Sequence, residues 1–559
     1  MLPKDIKREY VFSTYVKSKV DGNKDALIVK EIIHTPNEEP KRVIRVVENY
    51  KRPYWITKPE FRKHSDKREF ESVDRCDMFM AKQNQLADDI FSRLNGYRSN
   101  REVRLNEVSS SQYLYGSDIT SNDLLKQDYV NKFGKMFTPS SVAIMDYEWD
   151  VSDPKEPIIA GIVSMKETVH IAIVRSWLGD IADYAEDRIR SMCNKYHGKL
   201  IQDRNIKLKL TIEDSPAKVV IALMKTVHEL RPDFLAFWSI EGDIEHMLKA
   251  LKDANIDPAL VFSDPKVPNE YKDFIWKKDP PFKLKANGER MSKSPSERWH
   301  TVYTPSSFYC ICAMSAFRAI RAREQQRSSY GLDAILHEFL DIGKMKFDSI
   351  PEGITGKLWH QIMQKKHKIE YMVYLFGDGV FVELLNEKTK DLSESIRPQA
   401  DTSSFDKFKS NPRRLATDFH FVMLTDNKVV GSTDKTMVTK LDAEIPSTKG
   451  WIITLAAELE EGLGMPVIKE YPTMSTNITL YAFDEDLTSA YPSGGLICNV
   501  SKDTNTFVLC KIEGLTKHQT RELGINLTSV VSNPLSLART GFNFPDLDVL
   551  YNEFMEEYN

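Results

Sequence analysis

Cysteine is scarce: six residues, Cys76, Cys193, Cys310, Cys312, Cys498 and Cys510, are spread over 559, and only Cys310 and Cys312 are close. Two apart on a strand, that pair points to one side. With no second pair at zinc spacing, both read as core thiols, and neither a structural zinc nor a disulfide framework is expected. Long apolar runs are absent too. Nothing approaches the length needed to cross a bilayer, and the start, Met1 to Arg8, has no signal-peptide core, so an intracellular protein without a membrane partner is expected. Charge of one sign is lacking as well, the formal net charge being −4. That balance leaves nucleic acid open, because a chain can gather acid at metal sites and base along a channel. Residues 1 to 69 lean basic, with clusters at Lys41-Arg42, Lys51-Arg52 and Arg62-Lys63 that read equally as solvated surface. No internal repeat or low-complexity tract is present.

What is there is a series of apolar strands that end in acid. Val142 to Glu148 is one, and on a strand positions two apart share a face, so Asp146 and Glu148 can grip one metal while Tyr147 faces away. Two β-rich runs follow, Pro157 to Ser164 and Val169 to Trp177, then a helix over Ala217 to Leu230 and a strand over Phe234 to Ile240. That strand leads into Glu241-Gly242-Asp243, an acid at the turn into a helix predicted over His246 to Ala254. Lys368 to Glu383 has helical periodicity, which puts Tyr374 and Asp378, four apart, on one helical face. Between these segments Phe282 to Met291 alternates around Asn287-Gly288, a basic hairpin signal. Before them, Met80 to Leu94 reads as helical, and Tyr50 to Trp55 interleaves aromatics with base, a pattern that suits base stacking or a buried strand.

Lys388 to Arg414 is a polar, Lys- and Ser-rich connector and the clearest boundary in the chain. Beyond it, Phe419 to Leu424, Val429-Val430 and Trp451 to Leu459 read as short strands and a helix, expected to return to the N-terminal domain. Leu480 to Phe483 is a further apolar run, and it delivers Asp486 to the polar turn Leu487-Thr488-Ser489-Ala490-Tyr491. A carboxylate fixed there can hold Mg²⁺ while the following amides face triphosphate oxygens. At the end, Leu547, Leu550, Tyr551, Phe554 and Tyr558 stand at helical spacing.

The string from Asp486 to Ser493 closely resembles the first palm motif of family B DNA polymerases, in particular those of the T-even type bacteriophages. The resemblance implies that Asp486 is a catalytic metal ligand, that the amides of Leu487, Thr488, Ser489 and Ala490 bind phosphates, and that Tyr491 excludes a ribose 2′-hydroxyl. Upstream, Asp146 and Glu148, then Asp243, then Tyr374 and Asp378 form a series in order that resembles the three 3′–5′ exonuclease motifs of the same polymerases. It implies two Mg²⁺ ions, replaceable by Mn²⁺, held by Asp146, Glu148, Asp243 and Asp378, with Tyr374 orienting the attacking water. The implied fold is α/β within an α+β multidomain chain: an N-terminal template-framing domain over 1–140 and a ribonuclease-H-like exonuclease domain over 141–390. A connector returning to the N-terminal domain follows over 391–470, then a partial palm over 471–559. Implied partners are primer-template DNA, single-stranded 3′ ends, deoxynucleoside triphosphates and a sliding clamp, in the cytoplasm of an infected bacterium.

The family also has a fingers helix bearing Lys and a second palm Asp-Thr-Asp, and neither string occurs between Gly494 and Asn559. Two-metal phosphoryl transfer needs carboxylates from both palm strands. The expectation is therefore an exonuclease that polymerises only with a separate C-terminal polypeptide. The alternative is a non-catalytic DNA-binding or assembly subunit of a replication complex.

Overall fold

A computed structural model describes residues 6–433 apart from 65–66, 285–288, 323, 325–326, 344, 346, 348–353 and 401–404. One compact unit spans Met1–Asp434; Lys435–Asn559, the second, lies outside the described residues, and with it Asp486 to Tyr491 and the amphipathic run at the end. The chain is mixed α/β. No helix among the described residues is long and apolar enough to cross a membrane.

At the centre is a six-stranded sheet built from β1 (Val142–Trp149), β2 (Ile158–Met165), β3 (Thr168–Val174), β4 (Lys207–Glu213), β5 (Phe234–Phe237) and β6 (Tyr309–Cys312). Its spatial order is β4-β3-β2-β1-β5-β6. β2 runs antiparallel to both neighbours, whereas β3 with β4, β1 with β5 and β5 with β6 are parallel pairs. Near-continuous apolar residues in β1 to β3, chiefly Val, Ile and Ala, are what burial on both faces demands.

Four helices matter to the site: α1 (Ala182–Asp203), α2 (Pro216–Leu230), α3 (Ile240–Asp253) and α4 (Lys368–Thr389). Pro216 stands in the first turn of α2 and Ser215 caps it, accepting from the Lys218 amide at 3.3 Å. Ala143, Met145 and Tyr147 of β1 share a core with α2 and α3, while Val142 and Ile144 pack on the opposite side against Phe381 and Val382 of α4. α4 is buried on nearly every side from Ile369 to Glu383, because it lies between the sheet and α1. Gly379 permits the close approach: a Cβ there would come 2.9 Å from Ile162 Cδ1 of β2.

A three-stranded antiparallel sheet, Lys7–Lys17, Asp25–His34 and Lys41–Glu48, is tied to the central one through buried charge. Lys30 Nζ donates to Arg231 O at 2.9 Å and lies 3.5 Å from Asp233, which also accepts from Arg42 and from the Ser141 amide. After α4, Leu392, Ile396, Phe405 and Phe408 enter the core on the α4 side of the sheet. The strand Lys428–Val430 then pairs with Phe70–Ser72, so the chain does return to its N-terminal part.

Several local expectations need correction. Met80 lies in a strand, Cys76–Lys82, and the helix starts only at Leu86, because pairing with Lys51–Thr57 overrides the local periodicity. Of the two readings of Tyr50 to Trp55 the buried strand holds: Tyr54 and Trp55 are core residues of the strand Lys51–Thr57. Helix α3 begins at Ile240 rather than His246, since Ile240, Ile244 and Met247 all find the core. Phe419 to Leu424 belongs to the helix Asn411–Thr425, not to a strand. The basic hairpin does form, Phe282–Leu284 against Arg290–Ser292, with its turn outside the described residues.

Candidate active site

Strand parity puts Asp146 and Glu148 on the α4 side of β1, continuing the face of Ile144, while Tyr147 enters the opposite core. Asp378, one turn beyond Tyr374 on α4, comes down onto that face. Asp146, Glu148 and Asp378 each offer a carboxylate oxygen, and these lie within 4.8 Å of one another. Asp378 is buried, and Asp146 and Glu148 are half-buried.

Like charges about 4 Å apart repel by about 4 kcal/mol per pair at the effective dielectric of a protein surface. A cluster of this kind is the donor set of a hard divalent cation, which takes oxygen ligands and offsets the repulsion. The residues present therefore fit Mg²⁺ or Mn²⁺.

Asp243 is not in the tight triad. It sits in the first turn of α3, 4 % exposed, and its Oδ1 accepts from the Tyr147 amide at 3.2 Å. β5 pairs with β1 only as far as Ile144, and Asp243 takes over the backbone group beyond that point. Burial, then the charge of Asp146 and more weakly that of Glu148, pushes its carboxyl well above the ordinary range; the Tyr147 amide opposes this. Asp243 therefore borders the triad and feels its charge.

Tyr374 is buried and hydrogen-bonded to Asp378. Burial, then the Asp378 and Glu148 charges, raises its phenol far above the usual tyrosine range. Its phenol therefore stays protonated.

Four further residues complete the site, and the sequence reading passed over all of them. Tyr371, fully buried, donates to Glu148 Oε2. Its oxygen accepts from Gln364 Nε2 at 3.1 Å and lies 2.7 Å from His360 Nδ1. Gln364 also holds the strand end, donating to Trp149 O at 2.9 Å and accepting from the Val151 amide at 3.2 Å. Because the single Tyr371 proton goes to Glu148, His360 must present Nδ1–H to the phenol oxygen. The legible signal was Tyr371 itself, three residues before Tyr374 and so on the same helical face; the rings stack at 5.8 Å and 4°. Trp359, half-buried, packs its ring on Tyr374 at 4.9 Å.

Compared with known proteins, the chain matches no family model and no curated protein.

Proposed function

We propose that this chain is a metal-dependent 3′–5′ exonuclease on a ribonuclease-H-like fold, the proofreading part of a family B DNA polymerase of the T-even phage type. The observation that carries the reading is the meeting of Asp146, Glu148 and Asp378 within 4.8 Å, two from one strand and one from a helix more than two hundred residues later. A mixed sheet with one antiparallel strand beside the acid-bearing one, covered by helices on both faces, supports the fold.

Asp146, Glu148 and Asp378 would hold the metal, with Asp243 alongside for a second ion. Bound there, Mg²⁺ supplies a water-derived nucleophile and charge stabilisation for the leaving 3′-oxygen. The protein's own groups orient the reaction. Tyr374 spends its proton on Asp378, so its oxygen can accept from a water and turn that water's lone pair toward a phosphate. Tyr371 fixes one oxygen of Glu148, and the half-exposed Trp359 offers a face for the terminal base. The substrate is a frayed single-stranded 3′ end.

On the same reading Asp486 and Leu487 to Tyr491 would serve a triphosphate and the primer terminus. Extension would then need the second palm carboxylate and the fingers lysine from a separate polypeptide, with a sliding clamp as a further partner. The decisive measurement is 3′-end degradation of single-stranded DNA in Mg²⁺. Changing Asp146 and Glu148 together to Ala should lower the rate by about a thousandfold or more. A double variant as fast as the parent would refute the site.

A further inference from the structure

A cavity of 770 Å³ opens at the start of α4, the helix that carries Tyr371, Tyr374 and Asp378, and is lined by five cations, Arg188, Lys195, Lys365, Lys366 and Lys368. Asp180 and Glu370 are its acids. Arg188 and Lys195 are seven apart on α1, hence on one helical face, with Ser191 and Met192 between them. Lys365 and Lys366 close the helix Gly356–Lys366 directly after Gln364, the residue that holds Tyr371. Lys368 stands one turn before Tyr371, its ammonium anchored on the carbonyls of Trp177 and Leu178.

Charge compensation separates this cavity from others that contain base. Beside the hairpin, a 370 Å³ cavity has Lys293 on Asp279 at 2.9 Å, Arg321 on Asp391 at 2.6 Å and Arg318 on Glu297 at 3.3 Å. A third, of 480 Å³, has Arg8 on Glu31 and Arg397 on Glu9, both at 2.6 Å. In the 770 Å³ groove, Arg188, Lys195, Lys365 and Lys366 are exposed and make no ion pair among the described residues. Four cations drawn together, none of them ion-paired to Asp180 or Glu370, leave that role to a polyanion.

We propose that this groove is the track for the phosphodiester backbone of the single-stranded DNA whose 3′ terminus enters the carboxylate cluster. The inference rests on the exonuclease reading and assigns the strand's path outside the reacting phosphate. Contacts to phosphate are indifferent to sequence, and each one formed releases a counter-ion. The groove therefore sets affinity and salt dependence, while the carboxylates set the rate on an engaged end.

The test is binding by the full chain in EDTA, where nothing is cleaved, read as fluorescence anisotropy of a labelled oligothymidylate of about 15 nucleotides. Changing Lys195, Lys365 and Lys366 to Ala should weaken binding about tenfold or more near 0.1 M salt, and should flatten the log K against log salt slope by about 2. The triple Lys→Arg variant should keep both values, and equal melting temperatures for parent and variants exclude misfolding. Unchanged affinity and slope in the Ala variant would overturn the groove. So would a loss confined to polyglutamate, which would mark an acidic protein as the occupant. A parent that binds through these lysines yet never degrades DNA would remove the exonuclease reading and leave the groove standing.

Discussion

The Tyr371 hydroxyl donates to Glu148 Oε2, joining a helix to a strand 223 residues earlier in the chain. Gln364 and His360 hold that hydroxyl from behind, so the orientation of a candidate ligand depends on three side chains that cannot all touch a substrate. Partners standing behind metal ligands commonly change affinity or activity by about 10–100-fold when removed. On the proposed exonuclease reading, Tyr371→Phe should therefore lower the 3′-end degradation rate and Mn²⁺ affinity by about that factor while leaving KM for DNA in place. It also strips the Gln364 amide of an acceptor in a dry interior, at a cost of about 1–3 kcal/mol. Mn²⁺ titration by electron paramagnetic resonance, beside kinetics and a denaturant melt, separates the two effects. Unchanged Mn²⁺ affinity would make Tyr371 a packing residue only.

Carboxylates crowded into the triad work against folding until a cation joins them. Asp378→Asn removes one charge at nearly constant volume. Without metal the variant should melt at or above the parent temperature. With saturating Mn²⁺ the parent should gain stability by mass action, and the variant should gain little. Thermal melts in EDTA and in Mn²⁺ decide this; a variant that melts lower in EDTA and gains as much as the parent in Mn²⁺ contradicts it.

His170 lies fully buried on β3, its ring 2.7 Å from Thr226 Oγ1 and 3.0 Å from Thr211 Oγ1. Burial, helped by the nearby Lys209 charge, lowers its pKa from 6.5 to about 4. The unfolded chain then binds the proton more readily than the folded one between those values. Stability is full above pH 6.5, falls as pH drops toward 4, and loses nothing more from this group below that. At about 1.4 kcal/mol per pH unit, the loss approaches about 3 kcal/mol. His197 and His420 are lowered to the same value, so the contribution of His170 is the difference in slope between the parent and His170→Gln. Urea melts from pH 7 to 4 should show a shallower slope in the variant.

Gly161 of β2 sits opposite Tyr147 in register. A Cβ there would fall 2.5 Å from the Tyr147 ring and 2.7 Å from Leu223 Cδ1. Gly161→Ala must push Tyr147 aside, and the Tyr147 amide is the one that Asp243 accepts from. The variant should lose about 1–3 kcal/mol by overpacking. If the chain degrades DNA as proposed, that rate should fall as well, even when assayed well below the melting temperature. Full activity in a destabilised variant would show that the Asp243 contact tolerates movement of the strand.

Much of this site was legible as periodicity. Asp146 and Glu148 share a face because a strand repeats every two residues, and Tyr374 and Asp378 share one because a helix brings back the fourth. Both facts are local covalent geometry, independent of the rest of the molecule. Tertiary packing decided which faces meet. Apolar alternation in β1 reads the same from either side, and only the packing of α4 on the Ile144 side brings Asp378 onto the two strand acids. The start of α3 at Ile240 has the same origin, as does the strand at Met80, where a long-range ladder outweighed local preference. Tyr54 and Trp55 suit a stacking platform or a buried strand in one dimension, and packing decides for the strand. Gln364 and His360 carried no signal in the sequence. Neither side chain repeats with the acids, and each reaches the site only because a separate helix, Gly356–Lys366, lies across the strand end and closes the network around the Tyr371 hydroxyl.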